Sequence, residues 1–207
     1  VKDEFDQIYT EAGASGMNAG TSNDWTAYFI TVPANKLELW FWMESERLLN
    51  PVFREFYKER DVVMEERRLR YESQPIGRMI EQFLATAFIA HPYGSIGIGH
   101  MSDLQSFTRE DAKEFYDTYY APSNMTIAIV GAVEAEEIIP ILEKYFGRLP
   151  AGEPTPPLRT VEPPQIGERI VRIPDPAQPF YAEGYHRPAV THPDNDAYEA
   201  LADVLST

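Results

Sequence analysis

The sequence predicts an α+β chain. Apolar residues recur at helical spacing in several stretches, β-branched and aromatic runs interrupt them, and prolines and glycines punctuate both. With 207 residues, 43% of them apolar, there is enough chain for one generous core or two small ones.

Phe5, Ile8, Tyr9 and Ala12 share a helix face and Gly13 and Gly16 stop it, so the chain opens inside a helix without a visible cap. The run WTAYFITV over 25–32 is β-branched and aromatic, reads as a strand, and ends at Pro33. Asn35 followed by Glu38 gives a capping-box-like start to a helix carrying Leu37, Trp40, Phe41, Leu48 and Leu49, closed by Asn50-Pro51. One helical pattern spans about 54–72, and a second begins at Pro75 with Ile76, Met79, Ile80, Phe83, Leu84 and Ala87 as its buried stripe. Residues 91–99 read as a loop, and Thr108 caps a helix that Ala121-Pro122 stops. MTIAIVG over 125–131 reads as a buried strand and 134–146 as a helix ending at Gly147.

Six prolines between 150 and 164 suit an extended connector. Strand-like runs at 169–173 and 180–186 follow, then a helix over 195–207. The expected organisation is a first subdomain at 1–149, a linker at 150–165 and the beginning of a second subdomain at 166–207, too short for a core of its own.

The formal charge, 18 basic minus 33 acidic residues or −15, argues against nucleic acid and anionic membranes and fits a basic or neutral partner better. The absence of Cys removes disulfides, thiolate metal sites and cysteine nucleophiles, so any metal site must use His, Asp and Glu. No apolar run approaches the roughly 20 residues of a transmembrane helix, and the first residues are charged rather than signal-like, so the visible chain reads as soluble.

The stretch ERDVVMEERRLR over 59–70 carries the most chemical information. Glu59, Val62, Val63, Glu66 and Arg70 fall on one helical stripe, with the two carboxylates two turns apart, about 10 Å along the axis. That is too far for both to bind one ion directly, but one could ligate a metal while the other orients a ligand beside it. Taken alone, the same residues also read as a charged surface helix with Glu66–Arg70 and Glu65–Arg68 pairs. The four histidines, His91, His100, His186 and His192, form no HExxH or HxxEH.

An ordered series of motifs then resembles a family. It runs Asn18-Ala19-Gly20-Thr21-Ser22-Asn23-Asp24 with Thr26 and Tyr28, Asn50-Pro51 with Phe53, Glu59 to Glu66, Phe88 with His91-Pro92-Tyr93-Gly94, Tyr119 to Asn124, Val130-Gly131 and Tyr145-Phe146-Gly147. In order and spacing the chain is similar to the insulinase and pitrilysin family of zinc metallopeptidases, near the bacterial members that resemble mitochondrial processing peptidase. The resemblance implies a half-clamshell with a mixed, mainly antiparallel sheet and helices on one face. It also implies Zn2+ bound by the two His of an HxxEH motif whose Glu is the general base. Glu66 matches the third ligand and Glu59 a carboxylate behind it. Asn18, Ala19, Gly20 and Ser22 match an edge strand that pairs with the substrate backbone.

This sequence begins after the expected position of HxxEH, and on the resemblance it reads as a fragment of an active peptidase, inactive by itself. The implied partners are a peptide or unfolded polypeptide substrate and a second homologous half or subunit completing the chamber. The implied location is bacterial periplasm or cytoplasm. A non-catalytic or structural subunit of the same family is the competing expectation.

Overall fold

The computed structural model describes residues 4–205. The chain divides into two compact units, Val1–Arg67 with Gly97–Arg159 and Arg68–Ile96 with Thr160–Thr207, each built from two separate stretches. The fold is helix-rich α+β with antiparallel strand pairing.

In the first unit, α1 (Glu4–Glu11) buries Tyr9, whose hydroxyl donates to Glu44 at 3.0 Å. Strands β1 (Ser15–Thr21) and β2 (Thr26–Thr31) form an antiparallel hairpin with Ala19 opposite Tyr28 and Thr21 opposite Thr26. The register shifts between Ser15 and Asn18, where Gly16 takes φ +65°, the left-handed conformation that a bulge of this kind favours.

Helix α2 (Leu37–Leu49) carries the expected apolar residues, but its start differs from the capping box read at Asn35 and Glu38. A single 3-10 turn, Ala34–Lys36, leads into it, and Pro33 O accepts the Lys36 N–H at 2.8 Å, so this amide is satisfied without a side-chain cap. Glu38 instead accepts from Tyr145 Oη at 2.9 Å and Lys144 Nζ at 3.1 Å, which together hold its carboxyl below the ordinary range. Tyr145 and Lys144 belong to α7 (Ala135–Phe146), which packs on α2. Phe41, fully buried, sits 6.2 Å from the Phe146 ring and 6.5 Å from that of Tyr145.

Helix α3 (Phe56–Arg67) runs against α5 (Met101–Ser106). Helix α6 (Arg109–Tyr119) begins with the expected Thr108 cap, completed by Asp111, which accepts the Thr108 N–H at 2.8 Å. The Tyr116 hydroxyl of α6 donates to Leu48 O at 2.7 Å and ties this helix to α2.

In the second unit, a π-helical turn, Arg68–Glu72, leads to α4 (Pro75–Ala87), with Pro75 in its first turn. Gly77 lies so close to this turn that a Cβ there would overlap the Arg70 carbonyl. The single helix read over 54–72 is therefore an α-helix that ends at Arg67. Helix α8 (Asn195–Leu205) occupies the last predicted helix; its expected continuation to Ser206 and Thr207 lies outside the described residues.

The strands expected at 125–131, 169–173 and 180–186 do not form among the described residues. Local composition favours extended backbone, but a strand exists only where a neighbouring edge accepts its N–H and C=O groups. None pairs with these segments, and Val130 in the supposed buried run is 97% exposed. The second-unit segments are held by side chains instead. Arg169 donates to the carbonyls of Thr86 and Ala87 at 2.9 Å, and the His186 ring stacks on Phe88 at 4.8 Å.

Candidate metal-ligand helix and peptide edge

Helix α3 brings Glu59 and Glu66 onto one stripe, two turns apart, as the heptad spacing requires. Glu66 is half-buried, whereas Glu59 and Glu65 are exposed. Arg70, placed on the same stripe by spacing, falls in the π-helical turn, where the α-helical register no longer applies.

The residue that follows Glu66 is buried. Arg67 is 5% exposed and its Nε donates to Gly99 O at 2.9 Å. One residue after Glu59, Arg60 donates from Nη1 to Gln105 O at 3.2 Å and Phe107 O at 3.3 Å, with its guanidinium 5.2 Å from the Tyr57 ring centre. Spacing together with the family resemblance singles out the carboxylates. The arginines' acceptors lie more than thirty residues away, so no local signal identifies them.

A carboxylate is an ordinary zinc donor, and Glu66 fits the part of a single ligand. Among the described residues no group of three or more His, Asp or Glu is gathered to hold an ion. Three of the four histidines make other contacts: His91 Nδ1 accepts from Tyr93 N at 3.2 Å, His186 Nε2 lies 2.8 Å from Ala87 O, and His192 Nδ1 accepts from Asp194 N at 3.2 Å.

Asn18, Ala19 and Gly20 lie on β1, and Ser22 lies just beyond it in the turn, where its N–H donates to Trp25 O at 2.8 Å. Among the described residues β1 pairs with β2 on one side only. The Ala19 N–H is not vacant, because Asn18 Oδ1 accepts it at 2.8 Å. Tyr28 of β2 and Tyr120 share a hydroxyl–hydroxyl bond of 2.7 Å, and burial followed by this bond pushes the Tyr120 hydroxyl's pKa up. The Arg47 guanidinium lies 4.5 Å from the Tyr28 ring centre and pairs with Glu44.

Residues 106–207 match the family model described as Peptidase M16 inactive domain. The chain is 37% identical to the zinc protease PqqE of Helicobacter pylori, over 98% of this chain and 47% of that protein. It is 30% identical to a probable mitochondrial-processing peptidase subunit beta of Arabidopsis thaliana, over 92% of this chain and 37% of that one. The crystal structure of a protease from Helicobacter pylori matches with a TM-score of 0.76 at 37% identity, covering 80% of this chain and 41% of that chain. The chain thus spans less than half the length of these relatives.

Fold and relatives together place the chain among proteins of the M16 family. The chain belongs to the insulinase/pitrilysin family of zinc metallopeptidases.

Proposed function

We propose that the full-length protein is a zinc-dependent endopeptidase acting on peptides or unfolded segments, and that this chain supplies the third metal ligand and the strand that receives the substrate. The observation that carries the reading is the α3 stripe, which sets a half-buried Glu66 two turns from Glu59 in a chain whose relatives are named zinc proteases. Glu66 is the ligand and Glu59 the carboxylate behind it, and an HxxEH pair outside these residues completes the coordination.

A zinc ion held by Glu66 and the two histidines of that motif would supply Lewis-acid chemistry, activating water near neutral pH and polarising the scissile carbonyl. The chain's own part is to hold the Glu66 carboxylate in place and to align an extended peptide along the open edge of β1, where main-chain hydrogen bonds supply much of the affinity. Asn18, Ala19, Gly20 and Ser22 are the proposed contacts, and a second homologous half or subunit closes the chamber. The proposed domain plan keeps 1–149 as the peptidase subdomain, 150–165 as the connector and 166–207 as the start of the next unit. No helix among the described residues is long and apolar enough to cross a membrane.

The test is elemental analysis and peptide hydrolysis on the full-length protein beside this chain. One Glu ligand leaves coordination far short of four, so the chain alone should retain no stoichiometric zinc after dialysis and cleave nothing, while the full-length protein does both. Stoichiometric zinc with turnover in the chain alone would refute the ligand count. A second reading, a non-catalytic partner subunit, is favoured by the inactive-domain description of the model matching 106–207. A full-length protein that folds but holds no zinc would decide for it.

A further inference from the structure

A second stripe runs along α3 beside the carboxylates. Arg60 and Arg67 are seven residues apart, each one position after a proposed site carboxylate, so the basic stripe lies about 100° around the helix from Glu59 and Glu66. Both arginines end on backbone carbonyls of one segment, 99–107. Arg67 reaches Gly99, just before α5, and Arg60 reaches Gln105 and Phe107 at its far end. Gly99 takes φ +81°, a conformation that other residues rarely adopt, so the carbonyl that meets Arg67 depends on glycine. At the Arg60 end the Phe56 and Phe107 rings sit 5.5 Å apart and add an apolar stop.

These contacts fix two degrees of freedom. Hydrogen bonds two turns apart on α3 oppose sliding along the axis, and since both leave from one stripe they also oppose rotation. A buried guanidinium that loses its acceptors is costly, so the 5% exposed Arg67 gives the restraint its stiffness. Precision matters here. A rotation of about 10° moves a group at the helix surface, about 5 to 6 Å from the axis, by about 1 Å. Metal–ligand distances tolerate about 0.2 Å.

We propose that Arg60 and Arg67 are positioning residues for the metal site: they lock α3 onto the 99–107 segment at a set rotation, and thereby aim Glu66, with Glu59 behind it, at the metal. This rests on the reading of Glu66 as a zinc ligand. Lysine keeps the charge but lacks the planar guanidinium whose Nε in Arg67 and Nη1 in Arg60 reach these carbonyls, so Arg→Lys is the diagnostic change.

The experiment uses the full-length, zinc-loaded protein with Arg67→Lys, Arg60→Lys and Glu66→Gln in parallel. It reads zinc affinity by chelator competition, kcat and KM on one peptide, and thermal unfolding of the metal-free form. Arg67→Lys should weaken zinc about 10- to 100-fold, the scale for groups that orient a ligand, and lower kcat with little change in KM. Arg60→Lys should do the same to a smaller extent. A merely structural role would lower the unfolding temperature and leave zinc affinity untouched.

Arg60 is partly exposed, so its lysine variant provides a folded protein even if Arg67→Lys does not. Wild-type zinc affinity and kcat in a folded Arg60→Lys or Arg67→Lys, with Glu66→Gln losing zinc, would overturn the proposal alone. Unchanged zinc affinity in Glu66→Gln would instead overturn the ligand reading beneath it.

Discussion

Glu162 Oε2 accepts the backbone N–H of His91 at 2.9 Å, across 71 positions of sequence. The same carboxylate accepts from Ile89 at 2.9 Å and Ala90 at 2.9 Å, with Arg169 3.8 Å away, so one side chain of the proline-rich stretch collects three successive amides. Burial alone pushes this carboxyl's pKa up. The three amide donors and Arg169 outweigh that and hold it at about 2, against an ordinary 4.5.

The sign of the pH dependence follows. A folded-state pKa below the unfolded one gives stability that is fully present above the unfolded value and is lost as pH falls towards the folded value. Glu162→Gln should therefore lower stability at pH 7, and its deficit should shrink as pH falls from 4.5 to about 2. Urea unfolding of both proteins across that range measures it. A deficit constant with pH would show that the carboxylate's charge is not what the amides hold.

The α3 face can be scanned in the full-length protein. Glu59→Gln should keep most of the zinc but cost about 10- to 100-fold in activity, the scale for a supporting carboxylate. Glu65→Gln should be nearly silent, because its side chain leaves the helix about 100° from Glu66 and is exposed. Zinc content and kcat/KM for the pair would show a misread helix face if Glu65→Gln proved the more damaging.

At the peptide edge, Asn18 Oδ1 occupies the Ala19 N–H that an extended substrate would use. Asn18→Ala frees that donor and should lower KM, by about two- to tenfold if the net gain equals one ordinary hydrogen bond. Ala19→Pro removes the donor and should raise KM with zinc retained, while Ala19→Ser should be mild. Peptide kinetics on the three variants test this, and a zinc-retaining Ala19→Pro with normal KM would make β1 scaffold only.

In the first unit, Phe41 is fully buried against Phe146 and Tyr145. Phe41→Ala should destabilise the chain by about 3 to 5 kcal/mol, the usual range for emptying an aromatic core position. Denaturant unfolding of the variant measures it.

Elements that rest on local chemistry were legible in the sequence. Thr108 and Asp111 form their cap, Pro75 opens α4, and β2 covers the β-branched run. Elements that need a distant partner were not. The runs at 125–131, 169–173 and 180–186 have strand composition without an edge to pair with, and nothing local marks the end of α3 at Arg67, where the chain enters a π-helical turn. The candidate site divides the same way. A seven-residue spacing and a family resemblance are enough to single out Glu59 and Glu66. The carbonyls that hold Arg60 and Arg67, and the amides that hold Glu162, are fixed only by tertiary structure.

The central claim is that Glu66 binds the catalytic zinc, and the most direct test is the zinc content of the purified full-length protein with and without Glu66→Gln. Elemental analysis after dialysis, with circular dichroism to confirm folding, should give about one zinc per chain in the wild type and a large loss in the variant, with peptide hydrolysis abolished. A folded Glu66→Gln protein that keeps its full zinc and cleaves peptide would contradict the account.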